Sequence, residues 1–485
     1  MPNKTYVIGV GMTHFDKPGR KTEVDYPDYC LEASTKALLD ANVTYDSVEF
    51  AAVGFINADS ASGQRALYQL GLTQIPIINV NNNCSTGSTA LYMARNAVAS
   101  GQAECALALG FEKMAPGSLG SNFPDRTAPL DWGMASMMEL RDYDPKAPMT
   151  PQIFGNAAIE YGETYKNGAD CDEAMHYIAS KSHTHSTLNP YSQFNQPATV
   201  DQVKKARKVY GPMTLLHCSP TSDGAACAII ASEAFVIKHN LGPQAIELTA
   251  QVMATDSTLA FDPTGKKKSC VEIAGADMTR TAVKKLYSQA GISAQNVDVC
   301  ELHDCFSGNE LITYDALGLC PPGQAVPYTL SGATFLPKFW KGPPVPAHFK
   351  KVPVNTSGGL ISKGHPLGAT GIAQCAELVW QLRGWCESRQ VPNATRGLQH
   401  NVGLGGAVVI SLYTKPESSA SVLAAKKGWQ DPRERFGYNP AASCRGVRES
   451  DVRKILSSKG SLLGLPSGLN EAAKEKVEAV FAAKL

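Results

Sequence analysis

Charged side chains are scarce in this chain. Lys, Arg, Asp and Glu make up 18% of its 485 residues, against about 25% in ordinary soluble proteins. A chain of this length with so little charge must bury much of its surface, which predicts a large compact core and favours an oligomer interface. The 45 basic and 44 acidic residues nearly cancel. Nothing in this balance predicts a nucleic-acid partner or an anionic membrane surface.

Long apolar runs and paired cysteines are also missing. The longest apolar runs, Cys105–Phe111 and Ala225–Ile237, are shorter than the ~20 residues that a membrane-spanning helix needs. Met1–Val10 has the features of neither a secretory signal nor a mitochondrial presequence. The thirteen cysteines include no CxxC pair, which argues against a disulfide framework and a structural zinc site. We therefore expect a soluble intracellular protein with reduced thiols, no membrane span and no bound metal.

Strand-like and helix-like runs alternate along most of the chain, which predicts an α/β fold. The alternation stops from about Ala115 to Cys218, where Gly, Pro, Met and polar residues dominate. It then resumes and ends with a Gly-rich hairpin from Val402 to Tyr413. No sequence repeat is strong enough to prove a duplication. We assign 1–114 and 219–244 to an N-terminal half, 115–218 to an inserted loop subdomain, 245–415 to a C-terminal half and 416–485 to a C-terminal extension.

The C-terminal extension carries two features. Its last part, Asn470–Leu485, has apolar residues on one face of a predicted helix. It ends in Ala483-Lys484-Leu485, a small–basic–leucine variant of the S-K-L peroxisomal address. Three residues match by chance often, so the weight of this ending depends on the activity of the protein.

The first segment with a candidate catalytic residue surrounds Cys84. An Asn-rich turn, Asn81–Asn83, follows a predicted strand, and a small-residue helix begins directly after Cys84. A thiol at a helix N-terminus feels the partial positive charge of unpaired N–H groups, which lowers its pKa and favours thiolate. The alternative is a buried cysteine that packs as a small hydrophobe. The polar turn and the helix start favour the reactive thiol.

The second segment is Glu301–Phe306 at the end of a predicted strand. His303 and Cys305 alternate with Asp304, so in an extended chain they share one face. Functional sites of α/β sheets lie at the carboxyl ends of strands. The alternative is that Asp304 caps a helix and the histidine is incidental.

Two Gly-rich segments complete the set. Asn355–Gly371 leads into a helix and holds His365 between Gly364 and Pro366; its glycines would let the backbone approach a ligand. A phosphate cradle is a weaker interpretation, because the P-loop spacing is absent. The segment His400–Gly406 could offer backbone N–H groups to an oxyanion, or it could be only a tight turn.

Together these segments resemble the thiolase superfamily, and within it the thiolase portion of sterol carrier protein X. The resemblance runs from about Tyr6 to Tyr413 and includes INVNNNCSTGSTALYMAR, NPYSQF, PTSDGAA, ELHDCFS and SGGLISKGHPLGATG. It implies a thiolase fold of two similar α/β halves, which form a layered α-β-α-β-α core with an inserted loop subdomain. It also implies the activity of a peroxisomal-type 3-ketoacyl-CoA thiolase.

The resemblance implies a role for each motif. Cys84 matches the acyl-accepting nucleophile of a ping-pong cycle, and His365 matches the histidine that activates it and helps to hold a thioester oxygen. His303 stands where other thiolases place an asparagine in the first oxyanion hole. A second oxyanion hole would use the N–H groups of Cys84 and Gly403. Cys305 is the candidate acid/base, because Claisen chemistry must move a proton at carbon.

The resemblance also implies the ligands. Coenzyme A is expected as a substrate, with no permanently bound cofactor. Ser219, Gly358 and Gly364 are the candidate contacts for the acyl-CoA, and the insertion 115–218 is expected to carry much of the CoA surface. A homodimer is expected as well. The terminal Ala-Lys-Leu favours a peroxisome-type matrix, reached through an import receptor, with mitochondria as the alternative.

Two departures from the family pattern remain. Ordinary thiolases carry a second cysteine in a CxG segment, where this chain has Asn401-Val402-Gly403. Sterol carrier protein X continues into a lipid-binding domain, which we cannot find in the roughly 70 residues after Tyr413. The alternatives to a thiolase are a related condensing enzyme of the ketosynthase or hydroxymethylglutaryl-CoA-synthase type, which would not need Cys305, and an acyl-CoA binding protein without turnover.

Overall fold

The computed structural model describes residues 2–115, 118, 120, 123, 125–261, 268–417, 423 and 427–464. The predicted helix Asn470–Leu485 and the terminal tripeptide lie outside these residues. The strands are β1 Thr5–Met12, β2 Phe50–Gly54, β3 Ile77–Val80, β4 Cys105–Glu112, β5 Lys208–Tyr210, β6 Met213–Thr214, β7 Gly224–Ser232, β8 Ile246–Ala254, β9 Val299–Glu301, β10 Arg396–Gly403 and β11 Ala407–Thr414. The first strand of the predicted terminal hairpin, β10, therefore ends at the glycines and does not begin there.

The α-helices are α1 Tyr26–Ala41, α2 Ser62–Leu67, α3 Thr86–Ala99, α4 Asp131–Leu140, α5 Met149–Thr164, α6 Gly168–His185, α7 Val200–Lys205, α8 Glu233–Lys238, α9 Cys270–Ile273, α10 Ala276–Ala290, α11 Ser307–Ala316, α12 Ala325–Leu330, α13 Leu367–Arg383, α14 Pro432–Phe436 and α15 Glu449–Ile455. A single π-helical turn covers Gly359–Lys363. No helix in the described ranges is long and apolar enough to cross a membrane.

The main sheet is built twice from the same plan. In the first half the order is β3-β2-β4-β7-β1, and in the second it is β8-β11-β10-β9 with a parallel bridge from Cys300 to Val354 at the outer edge. In each half the strand that comes last in the chain, β7 or β11, runs antiparallel to both of its neighbours. The remaining pairs of each half, β4 with β2, β2 with β3 and β10 with β9, are parallel. The expected pair of similar α/β halves is confirmed, although the sequence shows no repeat.

The layers follow from alternation along the strands. In β1, Tyr6 and Ile8 pack into a cluster with α1 on the outer side, whereas Val7 and Val10 pack into a central cluster. The central cluster also contains the apolar faces of α3 and α13. A third cluster joins the outer face of the second half, including Ile410, to α10 and to helices of the insertion. Successive strand side chains point to opposite faces, so the inner faces of the two halves of the sheet enclose α3 and α13.

The two central helices meet through glycines. A Cβ atom on Gly87 would lie 2.5 Å from the carbonyl oxygen of Gly368, and one on Gly110 would lie 2.0 Å from the same oxygen. Contacts this short leave no room for a side chain. The start of α13 is therefore held against β4 and the start of α3, which brings the segments before both helices together.

The described part of the C-terminal extension packs on the N-terminal half and on the insertion. Helices α14 and α15 contact α1. Arg435 donates to the carbonyl oxygens of Leu39 and Asp40, and the hydroxyl of Tyr191 donates to the carbonyl oxygen of Pro440 at 2.8 Å. The described part of the extension is thus bound to the α/β body.

Replacing Gly110 by alanine tests the close approach of the central helices. We expect the Gly110→Ala variant to unfold at a lower urea concentration, because an added Cβ forces β4 and α13 apart, and overpacking of this kind costs about 1–3 kcal/mol. Gly446→Ala is the matched control, since a Cβ there meets no atom within 4 Å. An unchanged midpoint for Gly110→Ala would contradict the packing described.

Candidate active site

Cys84 lies in the turn between β3 and α3, as the sequence predicts. Asn83 adopts a left-handed conformation with φ of +49°, and its side-chain amide donates to the carbonyl oxygen of Leu404 at 2.6 Å. The N–H of Thr86 donates to the carbonyl oxygen of Asn83 at 3.0 Å. This turn fixes Cys84 directly before the first turn of α3.

Three of the predicted residues come together. The Sγ atom of Cys84 and one ring nitrogen each of His303 and His365 all lie within 4.8 Å of one another. The two imidazole rings are 5.3 Å apart and meet edge to face at 77°. The three residues come from three motifs that are far apart in the chain, so their convergence is a property of the fold.

His365 is held from both ends. Its backbone N–H donates to Ser222 Oγ at 2.9 Å, and its Nδ1 lies 2.7 Å from the Thr370 hydroxyl, which itself donates to the carbonyl oxygen of Pro366 at 3.0 Å. Because the hydroxyl hydrogen is used there, Nδ1 carries the hydrogen of the imidazole–threonine bond. The Nε2 atom is buried and has no hydrogen-bond partner among the residues that the structure describes. Burial and the nearby Lys363 lower the pKa of His365 to about 3, so the ring is neutral and offers a lone pair.

His303 is buried beside other histidines. The backbone N–H of His303 donates to Nδ1 of His400 at 3.4 Å, and the side-chain amide of Asn309 donates to the backbone carbonyl oxygen of His303. Its own Nδ1 lies 2.9 Å from the side-chain amide nitrogen of Asn401. Burial, with His365 and His400 nearby, holds the pKa of His303 well below its usual value. This ring is also neutral.

The expected low pKa of Cys84 is wrong. Burial and the carboxylate of Glu112 raise the pKa of the Cys84 thiol to about 12, and its own backbone N–H opposes them only in part. The loss of hydration outweighs the charge at the helix N-terminus. The resting nucleophile is therefore a thiol, and a base must remove its proton.

Glu112 is a member of the site that the sequence analysis missed. Its carboxylate accepts the N–H groups of Ile56 at 2.8 Å, Asn57 at 3.1 Å and Gly368 at 3.1 Å. It thus joins the N-terminal half to the start of α13. Burial raises the pKa of Glu112 to about 7. The available signal was a single acid at the end of the apolar run Cys105–Phe111.

Cys305 lies next to the same space. It is buried, and burial raises its pKa well above the usual value, with smaller contributions from Cys84 and Asp304. Its carbonyl oxygen accepts the N–H of Ser219 at 2.9 Å. The structure therefore brings Ser219 and Cys305 together at the edge of the site.

Asp304 does not cap its own helix. Its buried carboxylate instead accepts the N–H groups of Leu360 at 2.6 Å and Ile361 at 3.4 Å, whereas α11 begins after Phe306 with no side-chain cap. A Cβ on Gly359 would lie 2.0 Å from Asp304 Oδ2. The loop that carries His303 and Cys305 is thus fastened to the turn that leads to His365.

The two predicted ligand-contacting glycines pack against protein. Gly358 has φ of +98° and Gly364 has φ of +118°. A Cβ on Gly358 would lie 2.4 Å from the Ser186 side chain, and one on Gly364 would lie 2.7 Å from Ser222 Oγ. The need for glycine at these positions comes from the close approach of the insertion and of the segment before β7.

Gly403 ends β10 beside the nucleophile turn. A Cβ there would lie 2.1 Å from the carbonyl oxygen of Asn82 and 2.7 Å from Ser85 Oγ. A small, mainly apolar cavity of about 20 Å³ adjoins it; its lining includes Met134, Ile153, Phe261, Met278, Val402 and Gly403. The backbone of Gly403 therefore separates the Cys84 turn from an apolar space.

The donor atoms of Cys84, His303 and His365 are of types that bind zinc. A metal-bound histidine almost always donates its second N–H to a carboxylate, a carbonyl oxygen or water. Nδ1 of His303 instead faces the amide nitrogen of Asn401, which is a donor. The surroundings of His303 thus fit a hydrogen-bonding role better than metal ligation.

The family is settled by comparison with known proteins. Residues 5–196 match the family described as "Thiolase, N-terminal domain", and residues 263–412 match "Thiolase C-terminal domain-like". The chain is 53% identical over 414 residues to "Sterol carrier protein 2" of Gallus gallus, covering 85% of this chain and 72% of that protein. This chain belongs to the thiolase family.

Other thiolase-family proteins are more distant. "Acetyl-CoA acetyltransferase" of Methanothermobacter thermautotrophicus is 31% identical over 415 residues, which cover 84% of this chain and 99% of that protein. The crystal structure of the dimeric peroxisomal thiolase of Saccharomyces cerevisiae superposes with a TM-score of 0.61 at 16% identity, over 86% of this chain and 98% of that chain. This last likeness establishes the thiolase fold alone.

The alkylation rate of Cys84 tests its protonation state. Because the pKa of the thiol is about 12, we expect its reaction with iodoacetamide, followed by peptide mass spectrometry, to rise about tenfold per pH unit between pH 7 and 10. Glu112→Gln should speed the reaction at fixed pH, because it removes a negative charge that raises the pKa of Cys84. The exposed Glu417→Gln is the control. A rate that is already level near pH 7 would show a preformed thiolate.

Proposed function

We propose that this thiolase-family protein is a 3-ketoacyl-CoA thiolase. It would cleave a 3-ketoacyl-CoA with CoA into acetyl-CoA or propionyl-CoA and a shortened acyl-CoA, reversibly, in fatty-acid β-oxidation. The observation that carries the proposal is the convergence of Cys84, His303 and His365 within 4.8 Å, with the Cys305 thiol beside them. A nucleophile, a neutral base and a candidate acid/base are the groups that this reaction requires.

The first half-reaction begins at Cys84. Nε2 of His365 takes the proton of Sγ as sulfur bonds to the 3-keto carbon, and the resulting oxyanion is stabilised by the N–H groups of Cys84 and Gly403. The bond between C2 and C3 then breaks, its electron pair goes to C2, and the acyl group stays on Cys84. The thioester oxygen of the departing enolate is held by His303 and His365.

Cys305 completes the exchange. Its thiol gives a proton to C2 of the enolate, which releases acetyl-CoA. A second CoA then enters, and its thiol proton passes to the Cys305 thiolate. The CoA sulfur attacks the acyl-cysteine, the Cys84 sulfur leaves and takes its proton back from Nε2 of His365, and the site returns to its starting state. The raised pKa of Cys305 keeps it protonated until the enolate forms. In the condensing direction the same thiol, as thiolate, removes a proton from the acetyl methyl.

The alternatives explain less of the site. A ketosynthase-type enzyme uses a single cysteine with its partners, so it would leave the buried Cys305 without a task. A binding protein without turnover would not need His365 Nε2 to be neutral, buried and unpaired. The departure at Asn401 is compatible with a thiolase if Cys305 takes the role of the second cysteine.

We assign the CoA portion of the substrate to the side of Cys84 that faces the insertion 115–218, with Ser219 as the contact. Gly358 and Gly364, also expected as contacts, are enclosed by Ser186 and by Ser222 and Phe15, so we propose that they shape the loop before His365 and do not touch the ligand. No cofactor other than the CoA substrate is proposed.

The homodimer is proposed to form along β3. Within the described part of the chain this edge strand pairs on one side only, and Ile78 on it is 37% exposed; an unpaired edge with exposed apolar residues favours association with another chain. The likeness to a dimeric thiolase supports the same assembly. For location we propose a peroxisome-type matrix, with recognition of the terminal Ala-Lys-Leu by an import receptor and mitochondria as the alternative.

Incubation with acetyl-CoA alone tests the nucleophile. We expect one acetyl group on Cys84, located by peptide mass spectrometry, because the acyl-enzyme forms without the second substrate. Cys84→Ala should abolish the modification, and Cys444→Ala should not. Acetyl on another cysteine, or none in an enzyme that turns over, would contradict the ping-pong assignment.

Cys305→Ala separates the two half-reactions. We expect acetylation of Cys84 to remain measurable, because it uses the nucleophile, His365 and an oxyanion hole. The carbon–carbon step should fall by at least the ~10²-fold typical of losing an acid/base group. Single-turnover acetylation and steady-state thiolysis of acetoacetyl-CoA measure the two. A modest, equal loss in both would mean that Cys305 only packs, and near-normal thiolysis would place the proton on another group.

Ile78→Asp tests the dimer edge. We expect the native chain to show twice its own mass by light scattering at micromolar concentration, and the variant to dissociate because a charge cannot be buried at the interface. Leu259→Asp, at a site that is 42% exposed and belongs to a segment outside β3, should stay dimeric. A monomeric native protein would contradict the proposed assembly.

A further inference from the structure

A chain of buried hydrogen bonds leads from β11 to His303. The Tyr413 hydroxyl donates to Gln399 Oε1 at 2.5 Å. Gln399 Nε2 donates to the carbonyl oxygen of Gly371 at 2.6 Å and to Ser88 Oγ at 2.9 Å. Ser88 Oγ then donates to Asn401 Oδ1 at 2.9 Å, and the amide nitrogen of Asn401 faces Nδ1 of His303.

The orientation of the Gln399 amide fixes the donor and the acceptor of each of these hydrogen bonds. The carbonyl of Gly371 can only accept, and the Tyr413 hydroxyl supplies a hydrogen to the other end of the Gln399 amide, so Gln399 has one orientation. Since Ser88 Oγ accepts from Gln399, its own hydrogen is left for Asn401. The Asn401 oxygen therefore turns to Ser88, and its nitrogen turns to His303.

The consequence is a defined tautomer. An amide nitrogen can only donate, so Nδ1 of His303 must accept, at 2.9 Å, and the ring hydrogen is on Nε2. The five side chains of this hydrogen-bond series, from Tyr413 to His303, are at most 1% exposed, so bulk solvent does not reach them. The titratable groups that face His303 are His365, His400 and Cys84.

We propose that Tyr413, Gln399, Ser88 and Asn401 form a positioning relay, which holds His303 as the Nε2–H tautomer so that it donates a hydrogen bond to the substrate oxygen. His365, pinned through Nδ1 by Thr370, presents the opposite tautomer. Two neutral histidines thus supply one donor and one acceptor around Cys84. The inference rests on the proposed thiolase chemistry and assigns a task to Asn401, which stands where ordinary thiolases carry a cysteine.

The tautomer is observable without turnover. In the full-length protein labelled with ¹⁵N-histidine, we expect long-range ¹H–¹⁵N spectra to show a bare Nδ1 and a protonated Nε2 for His303 between pH 6 and 8. The signal is assigned by its loss in His303→Gln. A protonated Nδ1 with a bare Nε2 would overturn the relay, whatever reaction the protein catalyses.

Asn401→Asp reverses the polarity of the relay. A carboxylate accepts from Nδ1–H, so above the pKa of the aspartate–histidine pair Nε2 loses its hydrogen. We expect thiolysis of acetoacetyl-CoA, in which His303 holds the oxygen of the departing enolate, to fall about tenfold per pH unit on that alkaline side, a limb that the native protein lacks. A loss that does not vary with pH would indicate a merely structural role for Asn401 and would overturn the proposal.

Tyr413→Phe breaks the relay at its far end. We expect a mixture of His303 tautomers and a several-fold slower thiolysis of acetoacetyl-CoA. The matched control is Tyr161→Phe, because the Tyr161 hydroxyl is also buried and donates to a side-chain oxygen, Asp315 Oδ2 at 3.1 Å. Equal effects of the two variants would overturn the relay. If the native protein shows the expected tautomer but is never acetylated, the relay stands and the proposed function fails.

Discussion

The backbones of the two central helices come so close that no side chain fits between them. Gly87 and Gly110 both approach the carbonyl oxygen of Gly368, and this contact sets the distance between the segments that precede α3 and α13. Cys84 ends one segment and His365 lies in the other. Glu112 reinforces the contact, because its carboxylate accepts N–H groups from both halves of the chain. The site therefore depends on the packing of the central layer before it depends on any side chain.

Burial then decides the charge state of the site. The pKa of Cys84 is raised and those of His303 and His365 are lowered, so all three are neutral at rest. A neutral site can hold an uncharged thioester without desolvating an ion pair. Charges appear in this site only during attack, when Sγ gives its proton to His365. They then lie close to the donors that stabilise the product oxyanion.

The sequence predicted the elements of the site better than their electrostatics. The Asn-rich turn and the small-residue helix located Cys84, and the strand ending at Glu301 located His303, because local turn and strand signals are written in neighbouring residues. The direction of the pKa shift at Cys84 was wrong, since burial and Glu112 arise from tertiary packing. The duplicated sheet was expected from the family resemblance alone, and the bonds that orient Asn401 were out of reach. They join residues such as Ser88 and Gln399 that are hundreds of positions apart, with no local pattern.

The central claim is that Cys84 rests as a thiol between two neutral histidines of opposite tautomer. A neutron crystal structure of the unliganded protein at pH 7, after exchange into D₂O, tests it most directly. The account predicts deuterium on Sγ of Cys84, on Nδ1 of His365 and on Nε2 of His303, with none on Nε2 of His365. Deuterium on both nitrogens of His365 beside a bare Sγ would reveal a resting thiolate–imidazolium pair and contradict the account.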